Sequence, residues 1–334
     1  MPRLEKLLGR ARRLVDDKPI AAHIYVTEKC NLRCAYCSER DNRVPQPSFD
    51  ELRRWIDKLA ALGVLRIGIQ GGEPLLHPQL DRVVRHIKER GLGCSLASNG
   101  LLLTAERAQQ LDEAGLDALH ISVDRVRPTA ETVKCVARIR DKVPLLRRMD
   151  CAVHITSVLY CGSLAELPAV LAFAEDNGFS AKAHLIHTGR DGEFGAAPGE
   201  RERLAGFIDW EKEQKRRGRK LRATFNILDY QRRSLYEREP EWTCLAGYKY
   251  LFVSARGAFW LCSMRKDPGI PILDVTPALL RSYNRKKRCQ EGCGVYCVVG
   301  ESLANSHPLR FAAREAAGLA AGAPARLAAA AGGR

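Results

Sequence analysis

A chain of 334 residues with 46% apolar residues can bury one barrel-sized core plus a small appendix. It has no apolar run long enough to span a bilayer, and its opening "MPRLEKLLGRARRLVDD" lacks a signal peptide's apolar stretch, while Glu5, Asp16 and Asp17 argue against a transit peptide. That reads as cytoplasmic, where twelve cysteines are metal ligands, reactive thiols or small buried groups rather than a disulfide framework, and where a net charge of +15 favours anionic partners.

In chain order, residues 1–19 read as a basic amphipathic helix. From about residue 20 to 195, six β-rich runs alternate with longer amphipathic segments: "AHIYVT", "VLRIGIQ", "GCSLASNG", "DALHISVD", "CAVHITSVL" and "AKAHLIH". This alternation is the sequence form of βα units on a parallel sheet, an α/β fold. The first intervening helix opens on a capping box, Ser48 with Glu51, and continues with Leu52, Trp55, Ile56 and Leu59 at helical spacing. After Arg190 a Gly-rich loop, "DGEFGAAPGE", precedes a charged helix from Pro198 to Lys220, and residues 196–240 read as linker helices leading away from the repeat. Residues 241–302 hold five of the cysteines and a hairpin, "YKYLFVSARGAFWLC", turning near Gly257. Residues 303–334 read as a helix and a frayed Ala/Gly tail beginning at "AAGLA". The basic runs "EKEQKRRGRK" and "RSYNRKKR" interleave no aromatic platform and read as solvated faces rather than a nucleic-acid surface.

The loop after the first strand, "TEKCNLRCAYCSE", places Cys30, Cys34 and Cys37 within eight residues. A four-iron cube can be held through three of its irons by three thiolates, leaving the fourth iron open to another ligand. A structural zinc site would want a fourth Cys or His close by, and this loop has none. The Cys-x3-Cys-x2-Cys spacing, with Tyr36 before the last cysteine, is similar to the signature of the radical SAM superfamily. That resemblance implies a partial (β/α)6 TIM-like barrel with a small cysteine-rich C-terminal extension. It also implies a [4Fe–4S] cluster on Cys30, Cys34 and Cys37, with S-adenosylmethionine chelated at the open iron and reductively cleaved to a 5′-deoxyadenosyl radical. An electron donor of flavodoxin or ferredoxin type is implied as a partner.

"GGEP" (Gly71, Gly72, Glu73, Pro74), "SNG" (Ser98, Asn99) and "SVD" (Ser122, Asp124) end the second, third and fourth strands, where barrel active sites assemble. The glycines would let backbone approach a ligand. By the resemblance, Glu73 accepts from the methionine ammonium, and the other strand ends, with Tyr36, contact the cofactor. His187 and Arg190 are candidates for the substrate pocket, Arg190 because "GR" closes the core in several family members with auxiliary clusters, and Cys161, on the loop after the fifth strand, is a candidate radical or acid partner. His184 reads as a packed or surface histidine, and Cys94, Cys135 and Cys151 as packing residues.

Cys244, Cys262, Cys289, Cys293 and Cys297 form the second group, and four of these five would complete a closed [4Fe–4S] cluster. The Cys…Gly-x4-Cys hairpin resembles the SPASM and twitch extensions of some radical SAM enzymes. A full SPASM extension usually supplies at least seven cysteines, so a twitch-like form fits better; zinc is the alternative metal. The substrate expected is a small anionic metabolite of a biosynthetic pathway, its hydrogen atom abstracted by an oxidoreductase or rearrangement-type enzyme. The alternative is a maturase of a ribosomally made peptide, although about twenty residues before the first strand leave little for a peptide-recognition domain of ~50 residues or more. An RNA-modifying or redox-sensing iron–sulfur protein would need a recognition module that the sequence lacks.

Overall fold

The structure is a computed structural model that describes residues 16–186, 197–236, 242–287, 289 and 293–322. Six strands recur where the alternation places them: β1 (Ala21–Thr27), β2 (Arg66–Gly71), β3 (Gly93–Ser98), β4 (Ala118–Ser122), β5 (Ala152–Leu159) and β6 (Ser180–Leu185). They pair parallel in sequential order from β1 to β6, the arrangement of a partial barrel.

Period-two alternation sorts the strand residues into two layers. Ala22, Ile24, Val26, Ile67, Ile69, Leu96, Leu119 and Ile121 face the surrounding helices in the large apolar core. The helix Phe49–Ala61 begins at the expected capping box, with the Ser48 amide donating to Glu51 Oε2 (2.8 Å) and the Glu51 amide to Ser48 Oγ (3.3 Å). Its Leu52, Ile56 and Leu59 are fully buried, each contributing about 1.5–3 kcal/mol.

Three expectations change. The cysteine-rich extension continues the core sheet: β7 (Tyr250–Val253) pairs parallel with β1, His23 opposite Phe252, and β8 (Ala258–Cys262) and β9 (Arg265–Pro271) follow antiparallel. The hairpin turns at Gly257 (φ +73°) as read, but β9 had no visible signal. The linker does not lead away. The helix Pro198–Arg216 is followed by residues that return to β6, the Arg222 amide donating to Ala181 O (2.8 Å). The helix Phe225–Ser234 then buries Ile227 and Tyr230 beside Cys244, Cys262 and Cys293 in a second apolar cluster. Finally, "AAGLA" ends the helix Pro308–Ala320, which docks on that same helix through Asn226 Nδ2 and Glu315 Oε1 (2.7 Å). Of the N-terminal helix, residues 1–15 lie outside the described residues, and Asp16 to Asp17 form a bend.

Candidate active site

β1 ends at Thr27, whose Oγ1 accepts from the Lys29 amide (3.0 Å) and starts the cysteine loop. The loop is pinned along its length: Cys30 N donates to Asn42 Oδ1 (2.9 Å), Leu32 N to Cys30 Sγ (3.4 Å), Ala35 N to Glu131 O (2.9 Å) and Cys37 N to Cys34 O (3.1 Å). Cys34 Sγ lies 3.4 Å from Thr132 Oγ1. Cys30 and Cys34 are half-buried and Cys37 is exposed. All three line a pocket of about 180 Å³ at the barrel mouth with Gly71, Gly72, Ser98, Asn99, Ser122, Tyr25, Gln70 and Lys134. Three thiols with no fourth Cys or His among the described lining residues, facing strand-end hydroxyls and amides, fit a cluster with one open iron and a polar cofactor.

Several expected ligand residues turn away from that pocket. Glu73 is fully buried, and its carboxylate accepts from Leu75 N (3.0 Å), Ser98 Oγ (2.7 Å) and Asn99 N (2.8 Å). It clamps the end of β2 to the end of β3. Burial raises its pKa, and these hydrogen bonds work the other way. Asp124, also fully buried, accepts from Val158 N (2.9 Å) and the Tyr36 hydroxyl and pairs with Lys134 Nζ (3.2 Å). Tyr36 therefore ties the cysteine loop to β4, and Lys134, missed by the sequence reading, lies 4.9 Å over its ring. Pro74 opens the 3-10 turn after Glu73 and is buried. Cys161 packs on the outer core beside Glu200, burial keeping its thiol high, and does not line the mouth. His187 and Arg190 lie outside the described residues.

Glu73→Gln would set an amide N–H against at least one of the donors that now point at the carboxylate. The expected cost is about 1–3 kcal/mol, read as a lower Tm together with weaker cofactor binding. An unchanged Tm would oppose the clamp.

In the second group, Cys244, Cys262, Cys289 and Cys293 act on one another electrostatically, and Cys297 does not belong to that set: it contacts the Tyr250 hydroxyl and feels Lys182. Lys287 Nζ donates to Cys244 O (2.6 Å), and Arg265 is hydrogen-bonded to Cys289, so two cations flank the four thiols. Tyr230 donates to Cys293 O (2.8 Å). Among the described residues no three His, Cys, Asp or Glu side chains converge on a single-ion site.

Below the mouth, the inner faces of the strands carry His23, His120, His154 and His184. Burial is the first cause that lowers them, to about 3, 2, 4 and 3, and the charge of Lys182 adds to each, with Arg66 or Arg222 beside three of them. An unfolded chain takes up these protons near the ordinary value of 6.5. The unfolded state therefore holds more protons between pH 6.5 and about 4, so stability is complete above 6.5 and falls as the pH drops, by up to about 1.4 kcal/mol per unit per histidine. Buried Glu211, raised to about 8, opposes this, as do Glu28, Glu39, Glu73 and Asp112, whose carboxyls burial raises, while His77, lowered by burial, adds to the histidine side; the histidines carry the larger set of shifts. Tm is expected to fall from pH 6.5 to 5, and a flat profile would contradict the buried neutral histidines.

The profile of the Radical SAM superfamily matches residues 24–160. A GTP 3′,8-cyclase of Limosilactobacillus fermentum is 41% identical over 132 residues, which are 37% of this chain and 38% of that protein; the chain thus spans well under half of that relative's length. The AdoMet-dependent heme synthase of Methanosarcina barkeri is 30% identical over 266 residues, 71% of this chain and 74% of the synthase. Streptococcus suis SuiB, solved with its precursor peptide SuiA, superposes with a TM-score of 0.63 at 15% identity, covering 85% of this chain and 69% of SuiB, a likeness of fold. With the sequential parallel barrel and the three-cysteine loop at its mouth, these likenesses establish that the chain belongs to the radical SAM superfamily of enzymes.

Proposed function

We propose that Cys30, Cys34 and Cys37 hold a [4Fe–4S] cluster, that S-adenosylmethionine binds between it and the ends of β2–β4, and that the enzyme takes a hydrogen atom from a small anionic metabolite. The observation that carries this is one pocket lined by residues far apart in sequence, from Cys30 to Ser122. When bound, the reduced cluster and cofactor supply a 5′-deoxyadenosyl radical. The chain's own part is positional: Ser98, Asn99 and Ser122 offer polar contacts at the mouth, while Glu73, Asp124 and Tyr36 keep strand ends and cysteine loop in register. Anaerobically reconstituted, reduced protein is expected to form 5′-deoxyadenosine and methionine. Protein that carries the front cluster and binds cofactor yet forms neither would sink the reading.

Cys244, Cys262, Cys289 and Cys293 would hold a second [4Fe–4S] cluster in a twitch-like extension, with Cys297 outside it; their electrostatic influence on one another and the flanking Lys287 and Arg265 support this. Metal analysis separates about eight irons per chain from four irons plus one zinc. A flavodoxin- or ferredoxin-type protein would supply the electron. A second reading, a peptide maturase, is favoured by the fold shared with SuiB, which was solved bound to a precursor peptide.

A further inference from the structure

The barrel wall beneath the mouth is cationic where a closed core would be apolar. Strand register runs from Ser122, which lines the mouth pocket, to Thr156 on β5 and Lys182 on β6. Lys182 is thus on the same row of the inner wall, roughly 10 Å from Ser122 at the usual strand spacing. One row deeper, His120 pairs in register with His154, whose Nδ1 is 2.7 Å from Ser180 Oγ and whose Nε2 meets the Arg222 guanidinium. Lys182 Nζ sits 4.5 Å over the Tyr296 ring.

The charges in this chamber do not balance. Arg66 is paired with Glu301, but among the described residues neither Lys182 nor Arg222 meets a carboxylate. The acidic group nearest in kind, the Cys297 thiol, is kept high by burial. Burial, then Arg222, pushes Lys182 down to about 8, so at neutral pH it still carries its proton in most molecules. In the same chamber Thr156 Oγ1 and His184 Nδ1 are out of contact with solvent and have no hydrogen-bond partner. Lys182 is half-buried and Arg222 exposed, so neither cation is fully desolvated, but a partly desolvated cation without a counter-charge is still unfavourable, and orphaned buried polar atoms are rare. One ligand oxyanion would relieve both.

We propose that Lys182, with Arg222 and Thr156, forms a subsite inside the barrel that grips an oxyanion of the substrate, a carboxylate or a phosphate, and so fixes which end of the substrate faces the mouth pocket. The inference rests on the radical-enzyme reading above and adds the group that the substrate must carry. An oxyanion suits these donors because ammonium and guanidinium hydrogen bonds to it are charge-assisted, while the threonine hydroxyl can donate to a further oxygen.

The test is isothermal titration of the anaerobically reconstituted enzyme with inorganic phosphate and, separately, with acetate. Wild type is expected to bind one of them, phosphate marking a phosphorylated substrate and acetate a carboxylate. Lys182→Gln should weaken that binding about tenfold or more, as loss of a charge-assisted hydrogen bond implies, and Lys182→Arg should restore most of it. Should Lys182→Gln fail to fold, Arg222→Gln carries the same comparison on an exposed side chain. Wild type binding neither anion, or Lys182→Gln and Arg222→Gln both binding as tightly as wild type, overturns the subsite. Formation of 5′-deoxyadenosine by wild type is measured alongside. Cleavage without a Lys182-dependent anion site removes this inference alone, whereas absence of cleavage removes the radical-enzyme reading and leaves the anion titration to be judged by itself.

Discussion

Replacing Cys30, Cys34 and Cys37 together by alanine is expected to abolish formation of 5′-deoxyadenosine and to lower iron from about eight to about four per chain, because a four-iron cluster is held as a unit. Among the described residues no other cysteine or histidine lines the mouth pocket, so no substitute thiolate or imidazole stands ready. The fold should survive, since none of the three thiols belongs to either apolar core cluster. Changing Cys244 or Cys262 differs in kind. Both are buried in the second cluster beside Phe252 and Val298, so their loss removes packing along with any metal tie and should lower Tm. Anaerobic product analysis, iron determination and circular dichroism decide the first case. Cleavage at the wild-type rate in the triple variant, or unchanged iron, would refute the assignment of the front cysteines.

The six core strands were legible because each is a short β-rich run bounded by turn residues, and the first helix because Ser48 and Glu51 form a local capping signal. What depends on distant pairing was not. Nothing local in "YLFV" marks it as the neighbour of β1, since Ala21 and Tyr250 meet only through the closed fold. The motif residues Gly71, Gly72, Ser98, Asn99 and Ser122 share one pocket with the three cysteines, but the motifs do not tell the direction of their carboxylates: "GGEP" reads alike whether Glu73 faces a ligand or, as in this structure, the Asn99 amide and Ser98 hydroxyl. The chamber did leave a trace. His120, His154, Lys182 and His184 occupy every second position of strands whose other face is apolar, which in a buried parallel sheet points to a polar interior. Which four thiols of the second group would share a cluster could not be read from spacing, because Cys293 and Cys297 stand close in sequence, yet Cys297 is the one that contacts the Tyr250 hydroxyl.

Gly72→Ala is expected to empty the front cluster almost as completely as removing its ligands, although Gly72 contributes no ligand atom. A Cβ on Gly72 would overlap the Lys29 carbonyl oxygen, and one on Gly71, whose φ of +134° already disfavours any other residue, would overlap that of Thr27. These carbonyls open the cysteine loop and accept the Glu73 amide (2.8 Å) and the Gly72 amide (2.9 Å). The glycines thus make room for the loop that carries the cysteines, and only through it for a ligand. Relief of the overlap must move backbone next to Cys30, at about 1–3 kcal/mol for overpacking and about 0.5–1.5 kcal/mol for each hydrogen bond broken. A loop that presents three thiols to one cluster has little tolerance for such a shift. Iron should fall to about four per chain and product formation should be lost, while circular dichroism stays near wild type. Gly206→Ala is the control: it lies in the helix Pro198–Arg216, where an added methyl meets nothing within 4 Å, so iron content and cleavage should be unaffected. Full iron and wild-type cleavage in Gly72→Ala would mean that the loop yields freely and that the tight contact between the two strand ends is not what shapes the site.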